Sequence, residues 1–293
     1  MASRNPALND QIFQREIQAN QQGAFTPGWG SPADELPPGV FGQPSSTGVG
    51  PGGPVAAEGG TMRLGGTVSA TAILLLLLVV AGWFGWQQVT VTEVGVNPDG
   101  TVENSVAVAP WVFAAVIVGF LIAIVTVFKP KIARFTGPLY AIAEGLFIGA
   151  ISHVFDAQWP GIVVQAVLLT FAVFAIMLVL FATGTIRVTE KLRMAVIAST
   201  LAIAVVYLIS FVLSFFGSGV PMIHDAGPVG IGFSLLVVGI ASFNLLLDFD
   251  FVQRGVAARA PRYMEWYAAF GLMVTLVWLY LEILRLLAKL RER

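Results

Sequence analysis

Apolar positions in this chain fall in long blocks. Seven runs, 68–86, 110–128, 138–155, 161–183, 195–216, 228–250 and 266–287, are separated by short polar stretches. Each is close to the ~20 residues that carry an α-helix across a ~30 Å hydrocarbon core. Backbone polar groups in lipid must be bonded within their own segment, so the runs predict helices. Pro110, Pro138 and Pro228 stand at run starts, where a missing N–H removes no helical bond. The pattern therefore predicts an all-α integral membrane protein with seven transmembrane helices, a domain spanning 67–293. Residues 1–66 carry no apolar period and are about a third Gly plus Pro, which predicts a disordered Gly/Pro/Ser-rich tail. Between the first two runs, Val89, Val91, Val94 and Val96 precede Asn-Pro-Asp-Gly at 97–100, and Val102, Val106 and Val108 follow. That is a hairpin signal, a small β-ribbon at one face.

Composition supports the membrane assignment and removes several functions. The chain is 56% hydrophobic and 11% charged, with a mean hydropathy of +0.81. A net charge of −1 offers no basic field for nucleic acid. With no cysteine, disulfides, thiolate metal sites and Cys nucleophiles are excluded, and two histidines cannot build a His-rich cluster. The charges that remain set an orientation. Lys129, Lys131 and Arg134, then Arg187, Lys191 and Arg193, then Arg254, Arg259 and Arg262 fill the even loops. The odd loops, 87–109, 156–160 and 217–227, contain no Lys or Arg. The positive-inside rule then places the even loops and the N-terminus in the cytoplasm, for a chain expected in a cell inner (plasma) membrane. Arg285, Lys289, Arg291 and Arg293 run against the rule at a C-terminus that seven crossings leave outside. The last run either spans with a basic exit or re-enters, and spanning is the expectation.

Carboxylates inside or beside apolar runs are the candidate functional groups, since each must be neutralised, paired or reached by water. Asp248 and Asp250 close the sixth run. Two residues apart on a helix, they point ~200° away from each other, while Asn244 lies one turn before Asp248 and offers it an amide. Glu144 sits about 9 Å beyond Pro138 at ~1.5 Å per residue, too deep to reach the interface with ease. Around it, Ala141, Gly145 and Gly149 form a small-residue stripe that suits close helix packing. Glu282 has Arg285 at i+3, a spacing for an intrahelical ion pair. Ser152 and His153 are adjacent, point different ways on a helix, and lack a Gly-x-Ser-x-Gly, so no enzyme is read here. The last run has no lysine for a retinal Schiff base.

In 138–156, in Leu-Leu-Leu-Asp-Phe-Asp-Phe-Val at 245–252 and in Leu-Tyr-Leu-Glu at 279–282, the chain resembles a bacterial member of the Bax inhibitor-1 family. The resemblance runs from about Val68 to the C-terminus. It implies a seven-helix fold with the last helix at the centre. It also implies a pH-sensitive Ca²⁺ leak, closed when two buried acids on the sixth and seventh helices share a hydrogen bond. Asp248 matches the first acid. Glu282 matches the second by its Leu-Tyr-Leu-acid pattern, whereas aligning the Leu-Leu-Arg-Leu-Leu ending puts Thr275 there. The reading is a cation leak channel gated by protonation, with Asp248, Glu282, Glu144 and Asp250 as its pH-sensor and ion-path residues. Ca²⁺ binds transiently at Asp248 if at all, and no cofactor is expected. A proton-coupled transporter and a non-transporting regulator or scaffold of other membrane proteins remain as alternatives.

Overall fold

The computed structural model describes residues 60–96, 102–214 and 227–292. Seven helices in it are long and apolar enough to cross a membrane. They are α1 (Leu64–Trp86), α2 (Pro110–Phe128), α3 (Ala133–Gln158), α4 (Ile162–Ala182), α5 (Glu190–Ser214), α6 (Pro228–Ala257) and α7 (Met264–Arg291). Between α1 and α2, strands β1 (Val89–Val96) and β2 (Val102–Val108) pair antiparallel, Val89 opposite Val108 and Val91 opposite Val106. The turn expected at 97–100 lies outside the described residues.

Several helix boundaries differ from the apolar pattern, two of them with a visible cause. Pro138 does not begin α3 but lies inside it, because Pro130 opens a short 3-10 turn, Pro130–Ile132, that leads into the helix at Ala133. α6 runs past Asp250 to Ala257, because Arg254 one turn later pairs with that carboxylate at 2.9 Å and carries the polar end of the helix onward.

α7 is the centre of the bundle. Two thirds (67%) of its most apolar stretch is buried, and it packs against α1, α3, α4 and α6. Leu74 of α1, Ile162 of α4, Leu245 and Leu246 of α6, and Phe270, Met273, Leu279 and Leu284 of α7 are fully or almost fully buried in one cluster. The outer faces are the reverse, with Trp111, Phe113, Phe120, Phe171 and Phe211 exposed, as lipid-facing positions require. α7 crosses once and does not double back. Its terminal Arg291 donates to Pro160 O at 2.9 Å and Gln165 Oε1 at 3.0 Å, at the α3–α4 connection.

The other end of the bundle gathers residue 60 onward, the Pro130–Ile132 turn and the α6–α7 connection. Met62 N donates to Ala260 O at 2.7 Å and Arg262 N to Gly60 O at 3.1 Å, a strap that buries Met62 against Phe251, Met264 and Tyr267. Residues 60–66, which composition groups with the tail, thus belong to the folded body. Gly66 is part of the reason, since a Cβ there would fall on the Glu265 carboxylate, which also accepts Arg63 N–H at 2.9 Å.

The small-residue stripe packs α3 on α1. A Cβ on Gly149 would land on the Gly82 carbonyl and one on Gly145 on the Leu78 carbonyl, so the two backbones touch where no side chain can intervene. Ala141 is fully buried beside them. Gly149→Leu is expected to force the helices apart, costing at least the ~1–3 kcal/mol of an overpacked core. A thermal unfolding midpoint in detergent equal to that of the parent protein would contradict it.

Candidate functional site

The site is built where α6 and α7 run antiparallel. Asp248 of α6 is 3% exposed, deep for a carboxyl group. Thr275 of α7 hydrogen-bonds one end of it. Its other oxygen, Oδ2, has no hydrogen-bond partner among the described residues. Thr275 Oγ1 also lies 3.2 Å from Gly271 O. A hydroxyl has one hydrogen to donate, so Thr275 serves either the carboxylate or the Gly271 carbonyl. When it turns to Gly271, the proton between Thr275 and Asp248 must come from a protonated Asp248.

Of the two alignments for the second acid, Thr275 is the residue facing Asp248. Glu282 lies seven residues on, ~10 Å further along α7. It is 1% exposed and fully engaged. Tyr207 OH of α5 shares its one hydrogen between the two oxygens, at 2.9 and 3.0 Å, while Trp278 Nε1 donates to Oε1 at 3.3 Å and Arg285 Nη1 to Oε1 at 2.7 Å. Arg285 also donates to Tyr207 OH at 2.8 Å, its guanidinium 5.1 Å from the ring centroid. The i+3 ion pair is thus present, closed by an aromatic residue from another helix. Lys289, two turns further, is buried and donates to Gly230 O at 3.1 Å and Ser234 Oγ at 2.9 Å on α6. With Arg285 and Arg291 also bonded, three of the four basic residues that break the positive-inside pattern are engaged within the protein, and Arg293 lies outside the described residues.

The remaining candidates sit apart from Asp248. Asn244 does not serve it, because its amide donates to Thr200 Oγ1 of α5 at 2.8 Å and Ile240 O at 2.9 Å. An amide has two hydrogens, and both are placed. Asp250 faces the other way and takes Arg193 of α5 and Arg254, each at 2.9 Å. Glu144 of α3 is half-buried, accepts a hydrogen bond from Tyr140, and lies beside Gly119 of α2. Among the described residues no hydrogen bond or ion pair joins it to Asp248. Ser152 and His153 diverge: Ser152 Oγ is 2.6 Å from Tyr280 OH, while His153 stacks on Trp86 and meets its carbonyl at 2.8 Å.

Several residues of this seam escaped the sequence reading. Tyr207 and Thr200 look like ordinary residues of an apolar run. Their signal is the spacing 193, 200, 207, one polar side chain every two turns on one face of α5.

A family model described as Bax inhibitor 1 like matches residues 5–292, nearly the whole chain. The chain belongs to the Bax inhibitor-1 family. No curated protein matches it. The match begins well before Val68, so the family span includes the N-terminal stretch that the motifs had left out. In this Bax inhibitor-1 protein the two-acid arrangement that the resemblance implies is replaced by one acid and one hydroxyl, Asp248 and Thr275. Among the described residues no three His, Asp or Glu side chains come together.

Proposed function

We propose that this protein is a cation leak channel, passing Ca²⁺ in preference to K⁺, with Asp248 as the titrating group on the path. The observation that carries this reading is a carboxyl group buried between α6 and the central helix α7, with one oxygen that has no hydrogen-bond partner among the described residues. An unpaired charge there is too costly to keep, so the ionised form draws water or a hard cation while the protonated form rests against Thr275. One carboxylate gives weak, short-lived binding, which suits passage rather than storage. Flux is expected to rise with pH as Asp248 ionises. On this reading the end that holds Met62, Lys131 and Arg262 faces the cytoplasm, following the positive-inside rule.

The test is ion flux into liposomes holding the purified protein, with Ca²⁺ and with K⁺, at pH 6 and pH 8. Passive Ca²⁺ entry that is faster at the higher pH supports the channel. Uphill movement driven by a proton gradient would replace it with a coupled transporter. No flux of either ion would leave a regulator or scaffold acting through the bundle's surfaces.

A further inference from the structure

We infer that α5 is the gate of this path, a helix that detaches from α6 and α7 to let water and cations reach Asp248. The inference rests on the channel reading and names the part that moves.

α5 is the least enclosed of the seven helices, with 17% of its most apolar stretch buried. In lipid no hydrophobic force drives helices together, so such a helix is held by shape and by polar contacts. Its apolar packing is a narrow seam against α6, with Val196, Ile203 and Ser210 its buried residues at seven-residue intervals. The polar contacts follow the same period. Arg193 meets Asp250 at 2.9 Å, Thr200 meets Asn244 at 2.8 Å and Tyr207 meets Glu282 at 2.9 Å. These three steps are spread along the length of α5, so it is tied at both ends and in the middle.

The middle step lies nearest the site. Asn244 is one turn before Asp248 and only ~40° from it around α6 at 100° per residue, whereas Asp250 points ~200° away. At Asn244, α5 therefore packs on the flank of α6 beside the buried carboxyl. α7 cannot be the moving part, because four other helices pack on it. A helix held by a narrow apolar seam and separable polar contacts can instead have a minor detached state, of the ~0.1–10% order typical of two-state elements. That is a natural basis for a slow leak.

The absence of cysteine allows a direct test. Thr200→Cys and Asn244→Cys together replace the middle step with two thiols that a short, reducible bifunctional thiol reagent can join. In liposomes the joined protein should lose Ca²⁺ flux at least tenfold, and reduction should restore it. Tyr207→Phe, which deletes the hydroxyl of the third step, should raise flux several-fold. Flux that persists through the lock, or is unchanged in Tyr207→Phe, would overturn the gate while leaving the channel reading standing. A parent protein that passes no ion would remove both.

Discussion

In Asp248→Asn, Ca²⁺ flux into liposomes should no longer depend on pH. The amide keeps the size of the carboxyl and can still bond Thr275, so the fold should persist, but no proton enters or leaves. A single titrating group can change flux by up to ~10-fold per pH unit, and the variant should lose that slope. Asp250→Asn is the control, because its carboxylate faces Arg193 and Arg254 and should leave the pH profile in place. The converse change is equally informative. Thr275→Asp puts a second carboxyl group against the first and recreates the two-acid arrangement of the family resemblance, so the pH response should broaden into two steps that belong to the pair. An unaltered profile in Asp248→Asn would remove Asp248 from the path, and an unaltered profile in Thr275→Asp would show that the two residues are not coupled.

The second large effect concerns stability. Arg285→Ala strands Glu282, a carboxylate 1% exposed, with its counter-charge gone. Breaking a fully buried pair from one side costs ~3–5 kcal/mol; with Arg285 about a third exposed and Tyr207 and Trp278 still donating to Glu282, a loss of ~2–3 kcal/mol is expected, lowering the melting midpoint by roughly 5–10 °C. Removing both charges in Glu282→Leu with Arg285→Leu should cost much less, because no charge is left uncompensated. Thermal unfolding in detergent separates the two cases. A single variant no worse than the double would mean that water reaches Glu282.

The helices were legible in the sequence because lipid leaves a backbone few alternatives, and run length alone located all seven. Their ends were not, since the α6 extension depends on Arg254 and Arg193 meeting Asp250, one of them from another helix. Asp248 stood out because a carboxylate near an apolar run needs an explanation. Its partner did not. Glu282 and Thr275 were both candidates from motif spacing, and only the antiparallel register of α6 and α7 places the hydroxyl opposite the acid. The reverse error occurred with Asn244, whose position one turn from Asp248 suggested a bond that Thr200 of a different helix takes instead. Local spacing predicts which residues share a face, but not which neighbour claims them.

The strap at residues 60–63 has a consequence for how the protein is made. Its partner residues are some 200 positions later, Arg63 and Glu265 being separated by 202. At a synthesis rate of ~5–20 residues per second, α1 must wait ~10–40 s before its N-terminal contacts exist. The same delay applies to the whole bundle, because α7, on which four other helices pack, leaves the ribosome after the other six helices. Until then α1, α2 and α3 can pack on one another but the seam that α7 fills stays open, so truncation before α7 should cost the assembly its centre rather than one of its edges.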